Sequence, residues 1–126
     1  LNPIYVQMVT TGLLSNEVLS FLQSDDVAGD ATVNHSYTVT GTTFLLKKVT
    51  VASSGGGRFE ILTGPVATLA TRRVGFINKQ GGYLEFTFDP AVEVPVTSTG
   101  TVRVARTNMQ GQVQNLYSSI EGNDVA

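Results

Sequence analysis

Four carboxylates stand out among the side chains that could do chemistry. Asp25, Asp26 and Asp30 lie close together, and Asp124 could join them from the far end of the chain. Such an oxygen-only set suits a hard cation such as Ca²⁺. The spacing lacks the alternating Asp/Asn order and the distal glutamate of an EF-hand loop, so Ser24 to Asp30 reads as a solvated turn and no metal is expected. His35 is the sole histidine. A histidine metal centre or a Ser–His–Asp triad would have to be built around that one ring. It shares the phase of Tyr37 and Val39, which predicts a strand residue packed or hydrogen-bonded in place. No Gly-x-Ser-x-Gly, P-loop lysine motif or His-Glu-x-x-His occurs. The Gly55-Gly56-Gly57-Arg58 run precedes a strand, so no helix N-terminus supplies amides to a phosphate. With no acid, base and nucleophile converging, the expectation is a protein that is not an enzyme and carries no cofactor.

Two basic doublets remain, Lys47-Lys48 and Arg72-Arg73. Adjacent strand residues face opposite ways, so neither pair is expected to concentrate charge on one surface. Arg72 and Arg73 follow a run of small and apolar residues, which keeps open a role at a protein interface, where arginine is enriched. The aromatic residues are six Phe and four Tyr, without Trp. Tyr5, Tyr83 and Tyr117 could stack on a sugar, although core and interface roles are the more ordinary use of such rings.

The elements that would position these residues follow from the bulk of the chain. One domain accounts for 126 residues, a length that buries roughly two thirds of its unfolded surface. The absence of cysteine excludes disulfides and thiolate metal sites. A net charge of −2, with 14% charged residues, gives no electrostatic footprint for nucleic acid or for lipid. No apolar run approaches the twenty or so residues of a membrane span, and LNPIYVQMV lacks the basic start of a signal peptide. Low charge also predicts much polar but uncharged surface, as in surfaces that become buried in an assembly.

Tyr37 to Ile61 is the clearest segment. Tyr37 and Val39 alternate with threonines, Gly41 breaks the run, Phe44 to Val51 is apolar or β-branched except at its lysines, and Phe59 and Ile61 resume the period of two. Ser53 to Gly57 reads as too flexible for a regular element, and the whole as two hairpin-like connections that nucleate an antiparallel sheet. Strands are expected at about 31–39, 43–52, 58–63, 67–72, 74–78, 83–88, 92–96, 101–107 and 112–121, with a bulge where the phase slips between Val113 and Leu116. Leu84, Phe86 and Phe88 share one face, Pro95 suits an edge, and Val102 and Val104 belong to the core. Leu13 to Gln23 allows a short helix capped by Ser15, or a strand with Leu19 and Phe21 inward; the β setting favours the strand. Residues 1–12 form an N-terminal arm or edge strand with Ile4, Val6 and Met8 on one side, and residues 13–126 a single β-sandwich domain. The fold class is all-β: a two-sheet antiparallel sandwich or jelly roll with an extended N-terminal arm.

Two passages carry a resemblance. HSYTVTGTTFLLKKVTVASSGGGRFEIL, with Tyr37-x-Val39, Gly41 and Phe44-x-Leu46, is similar to the opening strands of small jelly-roll proteins on tailed-bacteriophage virions. YLEFTFDPAVEVPVTSTGTVRVARTNMQGQVQNLYSSIEGND, with Val94-Pro95, Val102-x-Val104, Asn108 and Ile120-Glu121-Gly122, resembles their closing half. Together they span residues 35–124. The resemblance implies a capsid decoration (cement) protein or a similar fibre or tail module, located on the virion and most simply on the capsid exterior. It implies a homotrimer that sits across neighbouring major capsid subunits, with no nucleic-acid or membrane partner. No residue-level site carries over from the family; for a decoration role the residues expected at the interface are Ile4, Tyr5, Val6 and Met8 of the arm, with Arg72, Arg73 and Phe76 on one broad face. The alternative is a receptor- or glycan-binding module of a tail or fibre, using loops 24–30, 53–58 and 108–112.

Overall fold

The computed structural model describes residues 15–126, which contain eight strands and one short 3-10 turn. The strands are β1 (Ser15–Val27), β2 (Thr32–Thr38), β3 (Thr43–Ser53), β4 (Gly57–Pro65), β5 (Ala70–Ile77), β6 (Gly82–Pro95), β7 (Gly100–Asn108) and β8 (Gln114–Val125). They form two four-stranded antiparallel sheets, ordered β1-β8-β3-β6 and β2-β7-β4-β5, hereafter sheets A and B. Eight strands in two such sheets make the jelly roll expected from the sequence. Almost every connection crosses between the sheets; only β4 and β5, joined through the turn at Val66–Thr68, are sequential neighbours in one sheet.

The period of two explains where the core sits. Phe44, Leu46, Val49 and Val51 from β3, Phe59 and Ile61 from β4, Val102 and Val104 from β7, and Leu116 and Ile120 from β8 are fully buried between the sheets. These are the inner strands of each sheet, so each such side chain leaves water completely and contributes about 1.5–3 kcal/mol. Leu84, Phe86 and Phe88 face the core from β6, as their spacing predicts.

Several expectations are corrected. Tyr37 to Ile61 is not a pair of hairpins, because β2 and β4 lie in sheet B and β3 lies in sheet A. Alternation sets which face is buried but says nothing of which sheet a strand joins. The strands expected at 67–72 and 74–78 are the single β5, and those at 83–88 and 92–96 are the single β6. Ser24 to Val27 belongs to β1 instead of a loop. No phase slip occurs in β8, where Gln114, Leu116, Ser118 and Ile120 are all buried in step. The irregularity lies opposite, in β1 between Ser24 and Val27, where Asp26 takes a positive φ of 52°. Strand is the right alternative for Ser15 to Gln23, but Leu19 and Phe21 point outward, exposed by 66% and 61%. Ser54 to Gly56 holds no regular element, as expected, but the glycines are not loose: Gly55 and Gly56 are buried, and a Cβ on Gly55 would meet the Gln110 side chain at 2.1 Å.

Candidate interaction surfaces

Both basic doublets sit at β-bulges, which overturns the expectation that each pair is split between two faces. In β3, Leu46 pairs with Gly122 and Lys48 with Glu121, so Lys47 is the extra residue. Lys47 and Lys48 therefore line one groove of about 640 Å³, with Glu17 and Leu19 from β1, Glu121 and Asn123 from β8 and Thr87 from β6. Lys48 also pairs with Glu85 at 3.2 Å. Both partners are partly exposed, so the bridge contributes at most about 1 kcal/mol. Further along the outer face of sheet A, Tyr117, Ala52 and Tyr83 occupy successive positions of one cross-strand row. The two tyrosines are two strands apart, about 10 Å, and Tyr83 is 69% exposed.

In β5, Ile61 pairs with Arg73 and Leu62 with Thr71, so Arg72 is the bulged residue. Its Nε donates to the buried Thr63 Oγ1 at 2.7 Å, while Arg73 lies over the Phe88 ring, 5.0 Å from its centroid. Both guanidinium groups are thereby engaged within the fold. Phe76 is 61% exposed, and Val74 beside it is also exposed. Register places Phe76 in a row with Arg58, Thr107 and Thr32, and Val74 in a row with Glu60, Ala105 and Asn34. The outer face of sheet B thus combines apolar, hydroxyl and amide groups with a partly exposed ion pair, Arg58–Glu60 at 3.3 Å, and with Arg103, whose Nε donates to Ser36 Oγ at 3.0 Å. Ile4, Tyr5, Val6 and Met8 lie outside the described residues.

The buried polar residues form the least expected feature. His35 bridges the sheets: its Nε2 meets Ser20 Oγ at 2.8 Å and its Nδ1 meets Ser118 Oγ at 2.7 Å. A neutral imidazole offers one donor and one acceptor, and either hydroxyl can complement it. Burial, reinforced by the positive charge of Arg106, lowers the His35 pKa to about 4. A serine–histidine–serine chain without a carboxylate, beside a guanidinium, destabilises the imidazolium that a general base must become. The chain ties β1, β2 and β8 together.

Arg106 itself is fully buried. Its Nη1 donates to the carbonyls of Leu22 at 3.2 Å and Leu116 at 3.1 Å, and its Nη2 to Ser24 Oγ at 2.7 Å. Burial draws its pKa below the usual guanidinium value. One turn of the pleat further on, Asn108 donates to the carbonyls of Val27 and Gln112 and accepts from Gln114 Nε2 at 2.5 Å. At the opposite end of β8, Asp124 accepts hydrogen bonds from the hydroxyls of Tyr37 and Thr40, each at 2.5 Å, and from the amides of Gly41 and Thr40. Burial alone would raise its pKa, but these hydrogen bonds prevail and hold it below the usual carboxylate range. Arg106 and Asn108 continue the inward phase of Val102 and Val104, a signal present in the spacing that their polar identity obscured.

Asp124 is consequently far from Asp25, Asp26 and Asp30. Asn115 at the other end of β8 holds the Asp26 amide, and the nine residue steps of strand from there to Asp124 span about 30 Å. Among the described residues no group of three or more His, Asp or Glu side chains gathers in a way that could hold a metal ion. The three end loops do converge. Met109 N donates to Gly56 O, and a Cβ on Gly29 would meet the Gln110 carbonyl at 2.7 Å.

No protein-family model matches the sequence, and no curated protein matches it. Solved structures with a similar fold include PirA, at 8% identity and a TM-score of 0.48, covering 86% of this chain and 93% of that one. The extra small virus of the prawn Macrobrachium rosenbergii, seen as a virus-like particle, matches at 11% identity and 0.43, covering 89% and 80%. A family 11 carbohydrate-binding module from Clostridium thermocellum, in complex with a mixed-linked tetrasaccharide, matches at 10% and 0.38, covering 86% of each chain. All three TM-scores lie below 0.5, and neither fold nor function is argued from these matches.

Proposed function

We propose that the protein is a non-enzymatic structural component of a phage virion, which decorates the capsid by docking across neighbouring shell subunits. The observation that carries this reading is the outer face of sheet B. Val74 and Phe76 stand exposed there beside the hydroxyl and amide side chains of β2 and beside Ala105 and Thr107 of β7, with Arg103 as the charged residue of that strand's outer face, a mixture typical of surfaces that other proteins cover. The resemblance over residues 35–124 supports the virion setting and implies three copies. Several weak docking contacts on one oligomer then act together through effective concentration. Incubation with capsids stripped of decoration, followed by sedimentation, tests the reading. The parent chain should co-sediment to saturation, and F76D should bind at least about tenfold more weakly, as loss of an aromatic anchor does. Deletion of residues 1–12 should leave a folded protein in the supernatant. A parent chain that never sediments with shells ends the proposal, and a truncated chain that binds unchanged removes the arm from it.

One observation favours a second reading, a glycan-binding module. Tyr83 and Tyr117 flank Ala52 on the outer face of sheet A, above a groove with lysine, glutamate and amide groups. Two rings about 10 Å apart could stack against separate sugar units. A glycan array separates the readings: decoration yields no specific hit, whereas a hit abolished by Y83A would establish the second.

A further inference from the structure

An unpaired sheet edge invites another strand, and proteins usually blunt it with short length, charge, proline or bulges. Two of the four edges among the described residues are blunted in this way, and a third, β2, is the shortest strand, seven residues with polar exposed side chains at Thr32, Asn34, Ser36 and Thr38. β5 is broken at Arg72. β6 loses register with β3 between Val92 and Thr87 and carries Pro90 and Pro95, which have no amide to donate. β1 is different. Ser15 to Ser24 keeps unbroken register with β8, holds no proline, lysine or arginine, and has Glu17 as its single charge. Its exposed residues include Leu19 at 66%, Phe21 at 61% and Leu22 at 37%.

The residues of this edge also fit themselves. Glu17-Val18-Leu19-Ser20-Phe21-Leu22-Gln23 reads the same in chemical type from either end, as polar, apolar, apolar, serine, apolar, apolar, polar. We propose that the free edge of β1 pairs antiparallel with β1 of a second copy, about a twofold axis at Ser20. In that register Leu19 of each copy faces Phe21 of the other on the outer side, and Val18 faces Leu22 on the inner side. Glu17 faces Gln23, so no like charges meet. Such a contact is isologous and closes after two copies, joining two four-stranded sheets into one. Cross-strand aromatic–aliphatic pairs of this kind are the favourable ones in antiparallel sheets. The oligomer is a dimer instead of the trimer implied by the resemblance. The pairing does not depend on capsid docking, since it leaves the outer face of sheet B free.

Sedimentation equilibrium on the full chain tests the inference. The expected mass is twice the 13.4 kDa of one chain. L19K/F21K places lysine opposite lysine on both sides of the axis and should raise the dimer dissociation constant roughly 100-fold. L19K/F21E places lysine opposite glutamate in the proposed register, and brings the introduced lysine beside Glu121, which pairs with position 19; it should stay dimeric. Because these side chains are exposed, circular dichroism should show both variants folded. A monomeric or trimeric parent overturns the inference, as does a dimer indifferent to L19K/F21K. A monomeric L19K/F21E variant overturns the register. A chain that dimerises only after removal of residues 1–12 overturns it too, since the edge would then be covered by its own N-terminal segment.

Discussion

An R106A chain is expected to unfold about 10 °C below the parent, a loss of about 3 kcal/mol. Arg106 is buried without a carboxylate, and its three hydrogen bonds reach β1 and β8 from the opposite sheet. Alanine leaves a cavity the length of the side chain and withdraws donors from two carbonyls and a hydroxyl. Methionine at the same position should cost about 1 kcal/mol or less, because it fills the space and removes a desolvated charge. The two variants therefore separate packing from hydrogen bonding. R106M carries a second readout. Burial is the main cause of the lowered His35 pKa and the Arg106 charge the lesser one. Removing the charge should move the His35 titration, followed by its ring proton resonances, part of the way back toward 6.5. Chemical denaturation that finds R106A as stable as the parent would show that the guanidinium ties nothing together.

The second large effect is acid lability. His35 has a folded pKa of about 4 against an ordinary value of 6.5, so between those values the unfolded chain binds the extra proton. Stability is complete above about pH 6.5, falls as the pH drops toward 4, and loses up to about 3 kcal/mol from this group across that window. Asp124 acts in the same direction at lower pH. Its folded pKa lies below the ordinary carboxylate value, so its contribution is present above that value and disappears as the pH falls through the folded one. Urea unfolding at a series of pH values should show both stages. H35Q should flatten the stage between pH 6.5 and 4, at a cost of about 1–3 kcal/mol near neutrality from the lost contacts with Ser20 and Ser118. A parent whose stability is level from pH 7 to 4 would contradict the buried neutral histidine.

Much of the fold was readable because alternation reports burial directly. His35 in phase with Tyr37, Leu84 in phase with Phe86 and Phe88, and Val102 with Val104 all face inward as their spacing requires. What alternation does not contain is sheet membership, which is why Tyr37 to Ile61 looked like hairpins while its strands divide between two layers. Bulges are equally silent. A single extra residue at Lys47, and another at Arg72, reverses the argument that neighbouring side chains diverge, and turns the lysine doublet into part of one groove. β1 misled for a related reason: Leu19 and Phe21 are apolar yet point outward, and among the described residues no strand pairs with the far edge of β1, so the alternation there marks a face other than the core. Arg106 illustrates the converse, a charged residue whose inward phase was visible but whose chemistry argued for solvent.

Two outer surfaces, the edge of β1 and the outer face of sheet B, are read as meant for other chains. Hydroxyl-radical footprinting of the protein free in solution and assembled on capsids tests this residue by residue. Val74 and Phe76 should lose their labelling on assembly, and Tyr83 should keep its labelling throughout. Leu19 and Phe21 should already be protected in the free dimer and regain labelling on dilution to the monomer. Unchanged labelling of Val74 and Phe76 on capsids, with protection confined to Tyr83 and Tyr117, or Leu19 and Phe21 labelled equally in dimer and monomer, would contradict this.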